Sequence, residues 1–269
     1  MYRVGFSVGQ NINEAILSSM AQSGISTVEL KGIDYDFKAL KLSADRCGIE
    51  LYSRHLPFMP CEEKDISLAD RDIRQKIVTD FTKLIKEAAD VGVHKFIVHP
   101  STPLSEGETR EERKKYAMDT LDKLAEIAYR EDAVIAVEDM NLSCLGNSAE
   151  ELSEIISVNE KLRVCFDVNH LLNDSHEEFI QKLGSKIVHT HISDYDFIWE
   201  RHWFPGEGKI DWPALYHALQ KAGYNGVWNY EISLRGAKMD ERGRALTWSD
   251  IYENAQEIFS GKQPHVIKA

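Results

Sequence analysis

The chain has 269 residues, 43% of them hydrophobic, so it can bury a large core; a barrel of alternating strands and helices commonly needs about 250 residues as one domain. Lys plus Arg number 32 against 44 Asp plus Glu, and the net charge of −12 disfavours a nucleic acid or an anionic membrane as the main partner. The four cysteines (Cys47, Cys61, Cys144, Cys165) form no C-x-x-C pair, no apolar run approaches the roughly 18 residues of a membrane span, and MYRVGFSVGQ opens on a strand-like segment without a signal-peptide core, so a reduced, cytoplasmic protein is expected.

In chain order, β-rich runs fall at RVGFSV (3–8), STVELK (26–31), ELYSRH (50–55), HKFIVH (94–99), AVIAVE (133–138), LRVCFD (162–167), KIVHTH (186–191) and GVWNYE (226–231). Helix-like stretches separate them at 12–23, 36–47, 70–91, 109–131, 148–158, 176–183 and 212–222, and another follows at about 248–260. Asn147-Ser148 supplies caps before AEELSEII, and Gly24, Gly48, Gly92, Gly184 and Gly223 stand where a left-handed residue would end a helix. No Pro/Gly/Ser linker divides the chain, so eight βα units in one domain over 1–269 predict an α/β fold, a closed (β/α)8 TIM barrel with its active site at the C-terminal ends of the strands. An open doubly wound sheet would normally carry a Gly-rich phosphate turn after its first strand; SVGQNIN has none.

Alternate residues of a strand share a face. Val134, Ala136 and Glu138 therefore lie opposite Ala133, Ile135 and Val137; Cys165 and Asp167 oppose Val164 and Phe166; His189 and His191 oppose Val188 and Thr190. From the third strand onward the inward face ends in His55, His99, Glu138, Asp167, His191 and Glu231, which a parallel barrel would bring to one cavity. Singly, a strand-end His is more often a hydrogen-bonded structural group, and an Asp or Glu a cap or ion-pair partner. Six together would repel or go unsatisfied without a cation among them. Three carboxylates and one imidazole favour Mn²⁺, Mg²⁺ or Co²⁺, and further imidazoles shift the preference toward Zn²⁺. In DVNH, Asp167 and His170 can both reach inward, whereas His189, one layer deeper than His191, reads as core or as a residue backing the ligands rather than as a ligand itself.

These residues carry a resemblance. The chain resembles the xylose isomerase-like TIM barrel superfamily, which holds sugar phosphate isomerases, ketose 3-epimerases and the endonuclease IV type of abasic-site nuclease. The motifs are VE at Glu138, D-x-x-H at Asp167–His170, H-x-H-x-x-D at His189–Asp194 and PGEG-x-I-D-W at 205–212, in an order that spans the chain. The resemblance implies one divalent ion held by Glu138, Asp167, His191 and Glu231, with Glu138 and Glu231 as the acid and base beside a sugar carbonyl and His170 orienting a substrate oxygen. It further implies a small carbohydrate as partner and a possible homo-oligomer.

The stretch before PGEG departs from the epimerases, which usually carry an arginine where this chain has His202 after Glu200 and Arg201. The nuclease branch has Asp-Arg-His there, close to this Glu-Arg-His, and His55 and His99 match positions that hold extra zinc ions in that branch. Glu200, His202, His55, His99 and His170 are thus expected to bind substrate or additional metal. Acid-rich rim segments, PFMPCEEKD (57–65) and PLSEGETREE (103–112), fit a polyol better than a duplex. A sugar isomerase or epimerase is the expected activity; a multi-zinc phosphoester hydrolase, a keto-sugar lyase or hydratase, and a sugar-binding barrel without catalysis are the alternatives. Trp199, Trp203 and Phe204 would either cap the cavity or pack the loop, and Asp211 and Pro213 would open the helix after it.

Overall fold

The computed structural model describes residues 2–32, 34–170 and 174–269. Eight parallel strands close in sequence order into one barrel: β1 (Arg3–Val8), β2 (Thr27–Leu30), β3 (Glu50–His55), β4 (Lys95–Val98), β5 (Val134–Glu138), β6 (Arg163–Asp167), β7 (Ile187–Ile192) and β8 (Val227–Tyr230). Around them run α1 (Glu14–Gln22), α2 (Phe37–Cys47), α3 (Cys61–Lys64), α4 (Arg71–Ala89), α5 (Arg110–Arg130), α6 (Ala149–Ile156), α7 (His176–Leu183), α8 (Trp212–Lys221), α9 (Met239–Arg242) and α10 (Trp248–Phe259). Sequence patterning omits the two four-residue helices, α3 and α9, which lie in the loops after β3 and β8. Among the described residues, no helix is long and apolar enough to cross a membrane.

Helix starts follow local chemistry. Ser148 Oγ accepts from Glu151 N–H before α6, Asp211 Oδ1 accepts from Ala214 N–H before α8, and Ser175 and Glu178 cap each other at α7. Gly24, Gly48, Gly92 and Gly223 adopt the left-handed conformation expected of them. Gly184 does not. It stays right-handed (φ −53°) and enters a short 3₁₀ turn, and an added Cβ there would meet Ala222 Cβ at 2.7 Å. Close packing against α8, rather than backbone freedom, explains that glycine.

Parity divides the apolar residues into two cores. The larger lies between barrel and helices and takes the outward residues Val28, Leu30, Ile135, Val137, Val164 and Phe166. Inside the barrel, Ile97, Ala136 and Cys165 form a small separate cluster. Most of the remaining interior is polar, because β1, β2, β3, β7 and β8 turn Ser7, Thr27, Glu29, Ser53, His189 and Asn229 inward, all except Ser7 fully buried. A barrel interior with so little apolar filling must satisfy its polar atoms among themselves.

Candidate metal centre

Register sets Asp167 opposite His191 and staggers their neighbours by two residues, Glu138 pairing with Cys165 and His191 with Asn229, so the same inward faces are kept around the barrel. Glu138 and Asp167 end their strands, His191 stands one residue before the end of β7, and Glu231 follows β8 directly, all facing one point. Oxygen and nitrogen atoms of these four lie within 4.8 Å of one another, all buried. His191 Nδ1 is 2.9 Å from Glu138 Oε1, 2.9 Å from Glu231 Oε2 and 3.8 Å from Asp167 Oδ2.

One imidazole nitrogen cannot satisfy three carboxylates. It carries at most one proton, and that bond goes to Glu138. Glu231 Oε2 sits close without the direction of a hydrogen bond, and Asp167 Oδ2 has no hydrogen-bond partner among the described residues. Such buried, underused oxygens around a nitrogen are the donor set a divalent cation requires, so the residues fit a resident ion. Burial disfavours charge on His191, but neighbouring Cys165, Glu231 and Glu29 outweigh it and hold the imidazole well above its usual range. Burial likewise pushes Glu138 and Glu231 up, yet His191 holds both carboxyls well below the usual value, helped by His99 at Glu138 and by Lys31 at Glu231. Asp167, with the weakest compensation, is pushed by burial up to about 6.

Two trios flank this ring. On one side His55 Nε2 lies 3.1 Å and His99 Nε2 3.2 Å from Glu138 Oε2, while Phe58 stacks on His99 with centroids 4.3 Å apart. His55 Nδ1–H donates to Leu56 O at 2.8 Å, which turns Nε2 toward the trio. On the other side Glu200 Oε1 lies 2.6 Å from His202 Nε2 and 3.6 Å from His170 Nε2, and the Asn141 amide donates to Glu200 Oε2. These imidazole bonds hold the Glu200 carboxyl far below its usual range. His170 is itself fixed by a 2.7 Å bond from Nδ1 to Asp139 O, leaving Nε2 3.6 Å from Asp167 Oδ2. The five residues expected as substrate contacts or further ligands therefore sit beside the ring, in two groups.

His202 is the one site residue in the left-handed region (φ 48°), held there by bonds from Nδ1–H to Glu231 O (3.1 Å) and from Nε2 to Glu200. The loop that carries it is built around Asp194. Its carboxylate accepts N–H groups of Tyr195, Gly206 and Ile210 and the Trp212 indole N–H, and its backbone pairs with Trp203. Gly208 is required by this close approach: an added Cβ would meet Asp194 Oδ1 at 2.2 Å. Glu207 is buried in an ion pair with Arg242, whose Nη1 donates to both carboxylate oxygens and ties the loop to α9. Phe204 is buried against the core, Trp203 lies under Lys238, and Trp199 is exposed. Part of the acid-rich rim is neutralised: Arg113 pairs with both Asp65 and Glu108, and Asp65 also accepts from Ser67 and Thr102.

Sequence reasoning passed over three groups at the site. Glu29 bonds His191 and His189 from below, and inward parity with Thr27 on β2 was the available signal. Lys31, just past β2, pairs with Glu231 Oε1. The buried Asp139 carboxylate accepts the Asp167 N–H at 2.7 Å. His189 is core, as its parity implies, although the Cys165 thiol lies with His189 and His191 within ligand distance.

The family described as the xylose isomerase-like TIM barrel matches residues 17–256. The chain belongs to this family. Among curated relatives, the inosose isomerase of Bacillus subtilis is 28% identical over 175 residues, which span 61% of this chain and 62% of that protein. The D-psicose 3-epimerase of Ruminiclostridium cellulolyticum is 25% identical over 235 residues, 83% of this chain and 77% of the relative. Among solved structures, a D-tagatose 3-epimerase-like protein superposes with a TM-score of 0.81 at 22% identity, covering 97% of both chains, a likeness of fold.

Proposed function

We propose that this family member is a divalent-cation-dependent isomerase or epimerase of a small carbohydrate. The observation that carries the reading is the ring of three buried carboxylates about His191 Nδ1, with Glu138 and Glu231 each presenting one oxygen to it and one away from it. Relatives named as an inosose isomerase and a D-psicose 3-epimerase support the same class. Glu138, Asp167, His191 and Glu231 would hold the ion, with Mn²⁺, Co²⁺ or Mg²⁺ suited to so oxygen-rich a set. Bound there, the ion would supply Lewis-acid polarisation of the substrate carbonyl, stabilising enediolate charge.

The side chains divide the remaining work. Glu138 approaches from β5 and Glu231 from β8, so a sugar between them has a carboxylate on each side to remove a carbon-bound proton and return it. His170, with Nδ1–H committed to Asp139 O, presents Nε2 to a substrate oxygen. Glu200 anchors His170 and His202 and so shapes the opposite wall. Return of the proton to the opposite face would give epimerisation, and to the neighbouring carbon isomerisation.

A second reading, multi-zinc phosphoester hydrolysis, is favoured by the two flanking trios, His55–His99–Glu138 and His170–Glu200–His202. The deciding experiment is metal stoichiometry per chain after single-metal reloading, followed by ketose and aldose turnover in D₂O. One ion with deuterium entering the carbon next to the carbonyl supports the isomerase class. Two or three zinc ions lost stepwise in H55A, H99A and H202A, with no exchange, would replace it with the hydrolase.

A further inference from the structure

Beneath the ring, Glu29 is a fully buried carboxylate that the proposed reaction does not use. Its Oε1 lies 2.9 Å from His191 Nε2 and 2.9 Å from Ser7 Oγ; its Oε2 lies 3.0 Å from His189 Nε2 and 3.1 Å from Ser53 Oγ. An ionised carboxylate only accepts, so at each contact the proton belongs to the imidazole or the hydroxyl. Ser7 is committed in the same sense, because the Asn229 amide donates to its oxygen at 2.9 Å and leaves the hydroxyl proton for Glu29. His191 Nε2 is therefore N–H, and Nδ1 is the nitrogen turned to Glu138, Asp167 and Glu231. His189 Nε2, 3.0 Å from Glu29 Oε2 and 3.5 Å from the Ser53 oxygen whose proton goes to Glu29, faces acceptors and is N–H as well, while its Nδ1 is buried with no hydrogen-bond partner among the described residues.

The packing leaves space for this floor. Gly5, beside Asn229 and Thr27 in register, would place an added Cβ 2.5 Å from Thr27 Oγ1 and 2.9 Å from Asn229 Oδ1. The inward residues Gly5 and Ser7 of β1 are thus small, and Glu29 reaches both histidines from the neighbouring strand.

We infer that Glu29 is the positioning residue of the cation site, fixing His191 by its Nε2–H so that Nδ1 serves the ring, and locking His189 beside it with the second carboxylate oxygen. This rests on the proposed metal centre but not on the substrate. A glutamine cannot replace it: an amide offers one acceptor oxygen and one donor group, so one imidazole N–H would face another N–H.

The test is the Zn²⁺ dissociation constant of the full chain, by chelator competition, in wild type, E29Q and S53A, with near-ultraviolet circular dichroism to confirm native packing. A long-range ¹H–¹⁵N correlation on histidine-labelled wild type reads the His189 tautomer. Expected are an Nε2–H tautomer for His189, affinity about 10–100-fold weaker in E29Q, the range for outer partners of metal-bound histidines, and only a small change in S53A. A natively packed E29Q that binds zinc as wild type does overturns the inference, as does an S53A loss equal to that of E29Q. The Nδ1–H tautomer of His189 in wild type overturns it without any variant, which keeps the test decisive if E29Q does not fold. A wild-type chain that binds zinc but turns over no sugar would sink the proposed reaction alone; one that binds no divalent ion would sink both.

Discussion

Below His191, Glu29 accepts hydrogen bonds from Ser7, Ser53 and His191, on three different strands, with His189 Nε2 3.0 Å away, and both of its oxygens are occupied. Above His191, the oxygens of Asp167 and Glu231 that face the same imidazole accept no directed bond among the described residues. Floor and ring thus use the same residue types, carboxylate and imidazole, at similar burial. They differ in saturation. A carboxylate with every lone-pair direction met has no capacity for a ligand and serves geometry, whereas one left short in a buried site has desolvation uncompensated until a cation arrives.

That contrast is most sharply tested at the proposed acid and base. E138Q and E231Q should each lower turnover by roughly 10²–10⁴-fold, the usual contribution of a positioned acid or base, while circular dichroism stays native. Turnover close to wild type in either variant removes that residue from the pair. A buried ion pair away from the ring gives the opposite signature: R242M, which leaves the Glu207 carboxylate buried without its cation, should cost about 3–5 kcal/mol in urea unfolding. A loss below about 1 kcal/mol would mean that the loop beyond Asp194 is held by its backbone bonds alone.

Supplying the cation should stabilise the ring and leave the floor as it is. At a free Mn²⁺ concentration of about one hundred times Kd, binding adds about 2.7 kcal/mol of stability, read as a raised thermal midpoint that a chelator reverses. No shift would mean that the ring does not hold the ion. Asp167 must be ionised to ligate, and burial places its pKa at about 6 in the metal-free chain. Affinity should therefore steepen its fall below pH 6, by up to about tenfold per unit for that proton, and show no such added slope above it. Calorimetry in buffers of different ionisation enthalpy counts the protons released. The smallest effect belongs to Lys31, part-exposed beside Glu231: K31M should change kcat by no more than about fivefold, the worth of a partly solvated pair. A loss as large as that of E231Q would place Lys31 in the catalytic machinery.

The alternation of β-rich and helical segments was legible along the chain because each unit is local: period-two strands, side-chain caps and glycine stops act within a few residues. Strand-end parity likewise assembled Glu138, Asp167, His191 and Glu231, since a parallel barrel sends every C-terminal strand end to one face. Glu29 escaped because it stands one residue before the end of VEL, and its partners, Ser7, Ser53, His189 and His191, are 22 to 162 positions away. Lys31 escaped for the same reason, since its carboxylate partner is 200 positions distant. Gly184 was misread because a glycine at a helix end serves equally as a left-handed stop and as a place for another helix to approach.

By itself, then, the sequence determined the barrel, the level at which its ligand-type residues gather and the family it belongs to, all of which follow from periodicity and order along one chain. Only the tertiary structure decided which carboxylates are saturated and which are left short, which imidazole nitrogen faces the ring, and that Asp194 and the Glu207–Arg242 pair hold the loop bearing His202. Those properties depend on a few ångströms between groups brought together by barrel closure, and the order of residues along a chain does not encode such distances singly.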